Sequence, residues 1–221
     1  MGEDQRTRSK RRAMMTWIDI TFGLQALVTL IVIMDPPGAT PLFLSLVSSR
    51  PIKEQRKLAW QAAMTSFIVI TLFALFGQWI LDYLKISLPA LKGAGGLLLL
   101  LVALELLKGN ANKEQATRSG NVALVPLGTP LLAGPGAIVA IMLFVQQAGR
   151  DGDTGPKSLA LALAVIIVHI IIGLTLMFST KIVAVIKESG VELLARIAGL
   201  LLAAIAVEML VSAVKEFFPG V

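Results

Sequence analysis

Of 221 residues, 56% are hydrophobic and only 15% are charged, and the mean hydropathy is +0.80. Soluble domains carry about 25% charged residues, so these values exclude a soluble protein and indicate an integral membrane protein. Cysteine is absent, which excludes disulfides and thiolate metal sites, and the net charge of +6 lies mostly in short basic tracts between apolar runs, where lipid head groups rather than nucleic acid account for it.

Residues 1–15 form a basic tail carrying Arg6, Arg8, Lys10, Arg11 and Arg12, with no cleavage site that would make it a signal peptide. The first apolar run extends from Trp17 to Val47 and contains Asp35-Pro36-Pro37-Gly38-Ala39-Thr40-Pro41. As one straight helix it would measure roughly 46 Å, against a hydrocarbon core of ~30 Å, so it must break, tilt or re-enter. The expected form is a helix to Met34, a non-helical elbow over 35–41 and a half-helix over Leu42–Ser49, with Thr40 as cap and Pro41 at the first helical position. A basic loop, Arg50–Lys57, precedes a second span over Leu58–Ile80, whose Trp60 and Trp79 are placed as interfacial anchors. The third span, Leu88–Leu107, opens with Pro89 and carries Gly93, Gly95 and Gly96. After a polar loop over 108–121 comes a fourth span, Val122–Gln147, holding a second break at Thr129-Pro130-Leu131-Leu132-Ala133-Gly134-Pro135-Gly136-Ala137. A turn-rich loop over 149–156, a fifth span over Leu159–Phe178 with His169 inside it, a charged connector over Lys181–Glu192 and a sixth span over Leu193–Val214 complete the chain.

The halves repeat. Gly96 to Leu107 aligns with Gly199 to Leu210 at an offset of 103, which pairs Glu105 with Glu208; Pro37-Gly38-Ala39 aligns with Pro135-Gly136-Ala137 at an offset of 98. Three spans per repeat force opposite orientations, as in secondary transporters built from inverted repeats. The expected fold is therefore an all-α membrane protein of six transmembrane helices in two inverted three-helix repeats, with the first and fourth helices broken. The tail covers 1–15, the first repeat 16–109, a connecting loop 110–121 and the second repeat 122–221.

Proline removes a backbone donor and clashes with the preceding turn, while glycine weakens a helix. In hydrocarbon the freed groups must be buried in protein or line a cavity, and paired breaks point to a transport site. Half-helices starting near Thr40 or Gly136 would offer N–H groups to a carboxylate, and carbonyls near Met34 and Ala133 would accept from an ammonium. A zwitterion is the natural ligand, and the glycines favour a small one. The competing reading makes each break a structural kink. Asp35 is either a proton carrier or a cap for its own elbow. Glu105 and Glu208 fall near helix ends, where a solvated interfacial place outweighs a role in gating or proton coupling. His169 could relay protons, but a hydrogen bond to a neighbouring helix suits it better; at the offset of 103 it matches Ser66. Ala195, Gly199 and Ala203 form a small-residue stripe suited to close packing. No Ser-His, paired-carboxylate or His-rich metal arrangement is present, so an enzyme, a cofactor and a metal are not expected.

At these motifs the chain resembles the MarC family. Asp35-Pro36-Pro37-Gly38-Ala39-Thr40-Pro41-Leu42-Phe43 is similar to the family's first-helix pattern and Pro130-Leu131-Leu132-Ala133-Gly134-Pro135-Gly136-Ala137-Ile138 to its fourth-helix pattern; Ile86-Ser87-Leu88-Pro89-Ala90-Leu91 with Gly95-Gly96 resembles the start of its third span. The resemblance covers nearly everything after Met15. It implies an inner-membrane transporter of small neutral amino acids such as glycine or alanine; the residues expected from the two breaks to bind it are Asp35, Pro36, Pro37, Gly38, Ala39, Thr40, Thr129, Pro130, Gly134, Pro135, Gly136 and Ala137. Protons or another coupling cation and a homo-oligomer are admitted as partners beside the lipid bilayer. The basic tail departs from the family. Without it, four Lys and Arg (Lys85, Arg150, Lys157, Lys215) face nine on the opposite loops, which places both termini outside; with it the sides balance. An exporter of another small solute and a non-transporting scaffold subunit stay open as alternatives.

Overall fold

A computed structural model describes residues 18–47, 49–108, 132–150 and 154–218, and among these there is no strand. Its helices are α1 (Ile20–Met34), α2 (Pro36–Val47), α3 (Ile52–Leu84), α4 (Leu88–Lys108), α5 (Pro135–Arg150), α6 (Thr154–Met177) and α7 (Ser179–Phe217). Five stretches are long and apolar enough to cross a membrane: Ile20–Pro41, Ile52–Leu84, Leu88–Lys108, Gly155–Met177 and Ser189–Phe217. The sixth expected span is represented by α5, whose 16 residues fall short of the ~20 that a crossing needs. Residues 122–131 of that span, like the tail over 1–15 and the loop over 110–121, lie outside the described residues.

The first break is tighter than the sequence suggests. The elbow expected over seven residues is a single residue, Asp35, in the left-handed conformation (φ 39°, ψ 66°) between α1 and α2. Pro36, not Pro41, opens the second helix; its fixed φ and missing N–H suit a first helical position. Pro41 lies inside α2 instead. The basic tract over 50–57 is helical from Ile52, because Lys, Glu, Gln and Arg are good helix formers, and α3 reaches 33 residues. The connector over 181–192 is helical too, joined to the last span through one non-helical residue, Lys187 (φ 61°, ψ 168°).

Contacts set the helix directions. Asp19 N–H donates to the Pro156 carbonyl (3.3 Å), and Gly23 lies against Ala160, so α1 and α6 run parallel. Ser66 meets His169 and Trp60 meets Gly173, so α3 and α6 run antiparallel. Phe22 packs edge-on against Phe144, with centroids 5.7 Å apart, and ties α1 to α5. The α4–α7 seam is the most reciprocal. A Cβ on Gly96 would sit 2.9 Å from the Ala206 carbonyl oxygen and 3.0 Å from Leu210 Cγ; one on Gly199 would sit 3.1 Å from the Ala103 carbonyl oxygen and 3.3 Å from Leu107 Cγ. Each contact is the other's image at the offset of 103. Leu99 and Leu202, buried at 2% and 1% exposure, form the centre of this seam.

Backbone on the far side cannot yield as a flexible side chain can, so Gly96→Ala and Gly199→Ala should each lower stability by about 1–3 kcal/mol. Gly93 meets only Ala213 Cβ, at an ordinary 3.7 Å, and Gly93→Ala should be neutral or stabilising. Thermal unfolding of the purified protein in detergent checks all three. Equal shifts would disprove the close approach.

Candidate functional site

Asp35 closes one helix and opens the next. Its N–H donates to the Ile31 carbonyl (3.0 Å), ending α1, and its own carbonyl accepts from Ala39 N–H (3.0 Å), starting α2. Its Oδ1 accepts from Gly38 N–H (3.2 Å). Pro36 and Pro37 have no N–H, so Gly38 offers the one remaining donor of the first turn, and Asp35 takes it. A Cβ at residue 38 would collide with Asp35 Oδ2, which makes the glycine part of the cap. This corrects the expectation that the half-helix start near Thr40 presents free N–H groups to a carboxylate. Thr40 is not the cap: it is fully buried inside α2, and its hydroxyl donates to the Pro36 carbonyl (3.0 Å). What the first break leaves open is acceptor capacity. Asp35 Oδ2 has no partner among the described residues, and Pro41, lacking an N–H, leaves the Pro37 carbonyl without its helical donor.

The start of α5, where the second break is expected, has the opposite character. Pro135 opens α5, and the Ile138 N–H to Gly134 carbonyl bond (3.1 Å) is the first of that helix. The N–H groups of Gly136 and Ala137 find no acceptor among the described residues. The position matching Asp35 at the offset of 98 is Ala133, which is buried and has no side-chain acceptor. The breaks are neighbours: a Cβ on Gly136 would lie 3.6 Å from Ile33 Cγ2, two residues before Asp35, and would collide with Leu99 Cδ2. Met34, Ala39, Ala133 and Ala137 share one hydrophobic core. Thr129 and Pro130 lie outside the described residues.

The other candidates are not gathered there. His169 is buried in α6, with Nδ1 2.7 Å from the Val165 carbonyl oxygen and Nε2 3.2 Å from Ser66 Oγ. A carbonyl can only accept, so Nδ1 carries the proton, and Nε2 of the neutral ring accepts from the serine. Both nitrogens are hydrogen-bonded, one within α6 and one to the neighbouring α3. Glu105 and Glu208 occupy exposed faces of α4 and α7, without a hydrogen bond or ion pair among the described residues. Sequence reasoning missed Leu99, which no motif distinguishes from its leucine neighbours. It also passed over Lys92, although a cation inside an apolar span is itself a signal.

The model of MarC family integral membrane proteins matches residues 20–218. A UPF0056 membrane protein of Methanocaldococcus jannaschii is 38% identical over 205 residues, covering 90% of this chain and 98% of the relative. One of Aquifex aeolicus is 33% identical over 212 residues (91% and 97%), and the UPF0056 membrane protein YvbG of Bacillus subtilis is 28% identical over 211 (90% and 97%). No solved structure matches.

Asp35→Ala removes the cap and places an alanine at a positive φ, so a loss of about 1 kcal/mol or more is expected; Asp35→Asn keeps an acceptor at Oδ1 and tolerates that backbone, and should unfold near the parent temperature. Ser66→Ala leaves a buried imidazole acceptor without a donor and should lower stability by about 1–3 kcal/mol. Equal melting of the two Asp35 variants would remove the capping role.

Proposed function

The chain belongs to the MarC family of integral membrane proteins, and we propose that it is a secondary transporter of small neutral amino acids. On this reading six crossings form two inverted repeats, and the substrate lies between the two breaks. One observation carries the proposal: the breaks are chemically opposite. The first has its donors removed by Pro36 and Pro37 or taken by Asp35, and it retains the acceptors Asp35 Oδ2 and the Pro37 carbonyl. The second offers the amides of Gly136 and Ala137, and Ala133 stands there in place of the Asp35 carboxylate. A zwitterion matches both poles, its ammonium toward Asp35 and its carboxylate toward the start of α5, where backbone amides and the helix dipole favour an anion. Leu99 and Ile33 pack so closely on Gly136 that no side chain fits at that position, which supports a small ligand. The reciprocal contacts across the α4–α7 seam support the inverted repeat.

On this reading transport crosses the inner membrane, the count of Lys and Arg without the basic tail favours both termini outside, and Asp35 is the group through which proton coupling would act. A scaffold subunit accounts for the hydrophobicity but not for two breaks of opposite polarity. The test is glycine and alanine uptake and counterflow in proteoliposomes, with and without a pH gradient. Saturable flux is expected, stimulated by the gradient and reduced at least about tenfold in Asp35→Asn, a loss of 1.4 kcal/mol or more of substrate or transition-state stabilisation. Absence of flux for both amino acids, from protein that unfolds cooperatively, rejects the assignment.

A further inference from the structure

The reciprocity of the α4–α7 seam fails at one charged contact. Lys92 of α4 donates from Nζ to Ser212 Oγ of α7 (3.3 Å) and forms an ion pair with Glu216. Its side chain is only 12% exposed and that of Glu216 34%. At the offset of 103 the position matching Lys92 is Ala195, which has no donor, so this contact cannot recur across the seam. Beside Ala195, Arg196 is exposed and pairs within its own helix with Glu192 (2.6 Å). Ser66 and His169 behave differently. They match each other at that offset and touch, so their contact is its own image and lies on the pseudo-two-fold axis.

An inverted-repeat carrier reaches its second state when its halves exchange conformations. Contacts that map onto themselves or onto each other survive that exchange, and a contact without an image belongs to one state. We propose that the Lys92–Glu216 pair, with Ser212, is a latch that holds the α4–α7 seam shut on one face of the membrane in a single transport state, while Ser66–His169 stays closed in both. The inference rests on the inverted-repeat transporter reading. Opening the seam would rehydrate both charges, so the pair sets the balance between states rather than the affinity for substrate.

The absence of cysteine lets single reporters be introduced directly. Ala213, 3% exposed and facing Gly93, lies beside the latch; Ala103, fully buried against Gly199, lies across the axis. Labelling of Ala213→Cys and Ala103→Cys by a membrane-impermeant maleimide, present on both sides of vesicles, reads each end of the seam. Lys92→Gln should speed labelling at 213 about tenfold and leave the rate at 103 unchanged, because the Ala103–Gly199 contact has its image at Ala206–Gly96 and is kept in both states. The double variant Lys92→Glu with Glu216→Lys should restore the parent rate at 213. Labelling that rises at both reporters indicates a seam merely loosened and overturns the latch, as does no change at either, or a swapped pair that folds but fails to restore. The assay needs no transported solute, so the two readings separate. A rise confined to 213 without amino-acid flux keeps the latch and rejects the substrate; flux without that confined rise rejects the latch alone.

Discussion

Hydrocarbon supplies no hydrogen-bond partner, so a helix interrupted within it must repair the interruption from the chain itself. Asp35 does this with three bonds. Its N–H closes α1, its carbonyl starts α2 and its carboxylate takes the one donor that two prolines leave in the first turn. Everything at the break is subordinate to that repair: a glycine at 38 because a Cβ would strike the carboxylate, and Thr40 turned inward onto the Pro36 carbonyl. The result is a break without free donors. That outcome is opposite to the usual expectation for a helix start, and it follows from proline chemistry rather than from tertiary packing.

The same chemistry explains what the sequence could and could not disclose. Helix identity in the apolar runs was legible, since a membrane leaves few alternatives to a helix for a run of twenty apolar residues. The position of the first break and the start of α5 were legible from Pro and Gly. The width of the first was not, because Pro36 and Pro37 fit a first helical turn as well as they fit a loop, and only the backbone angles of Asp35 decide between them. Helices α3 and α7 run past their apolar limits because hydropathy sees the membrane, whereas Lys, Glu and Arg continue a helix beyond it.

Pairings across the fold divide in the same way. Ser66 with His169 could be anticipated because a buried serine hydroxyl and a buried imidazole each need a partner, and the repeat offset places them at equivalent positions. Leu99 against Gly136 could not, since a leucine among leucines carries no mark of the one neighbour it fills. Lys92 stood out as a cation in an apolar helix, but its partner Glu216 lies 124 residues away, and nothing local selects it from the other carboxylates.

A chain that uses one geometry twice can acquire direction only where its halves differ. At Gly96 and Gly199 the contacts are images of each other, and the sequence Pro37-Gly38-Ala39 recurs as Pro135-Gly136-Ala137. They do not match at Asp35, whose counterpart is Ala133, or at Lys92, whose counterpart is Ala195. Both differences place an ionisable side chain in one half and a methyl group in the other. A pair of breaks each bearing a carboxylate would present like charges to a shared ligand, and a seam latched equally at both ends would favour neither state. On the inverted-repeat reading, the first asymmetry gives the substrate a head and a tail, and the second gives the cycle a resting side.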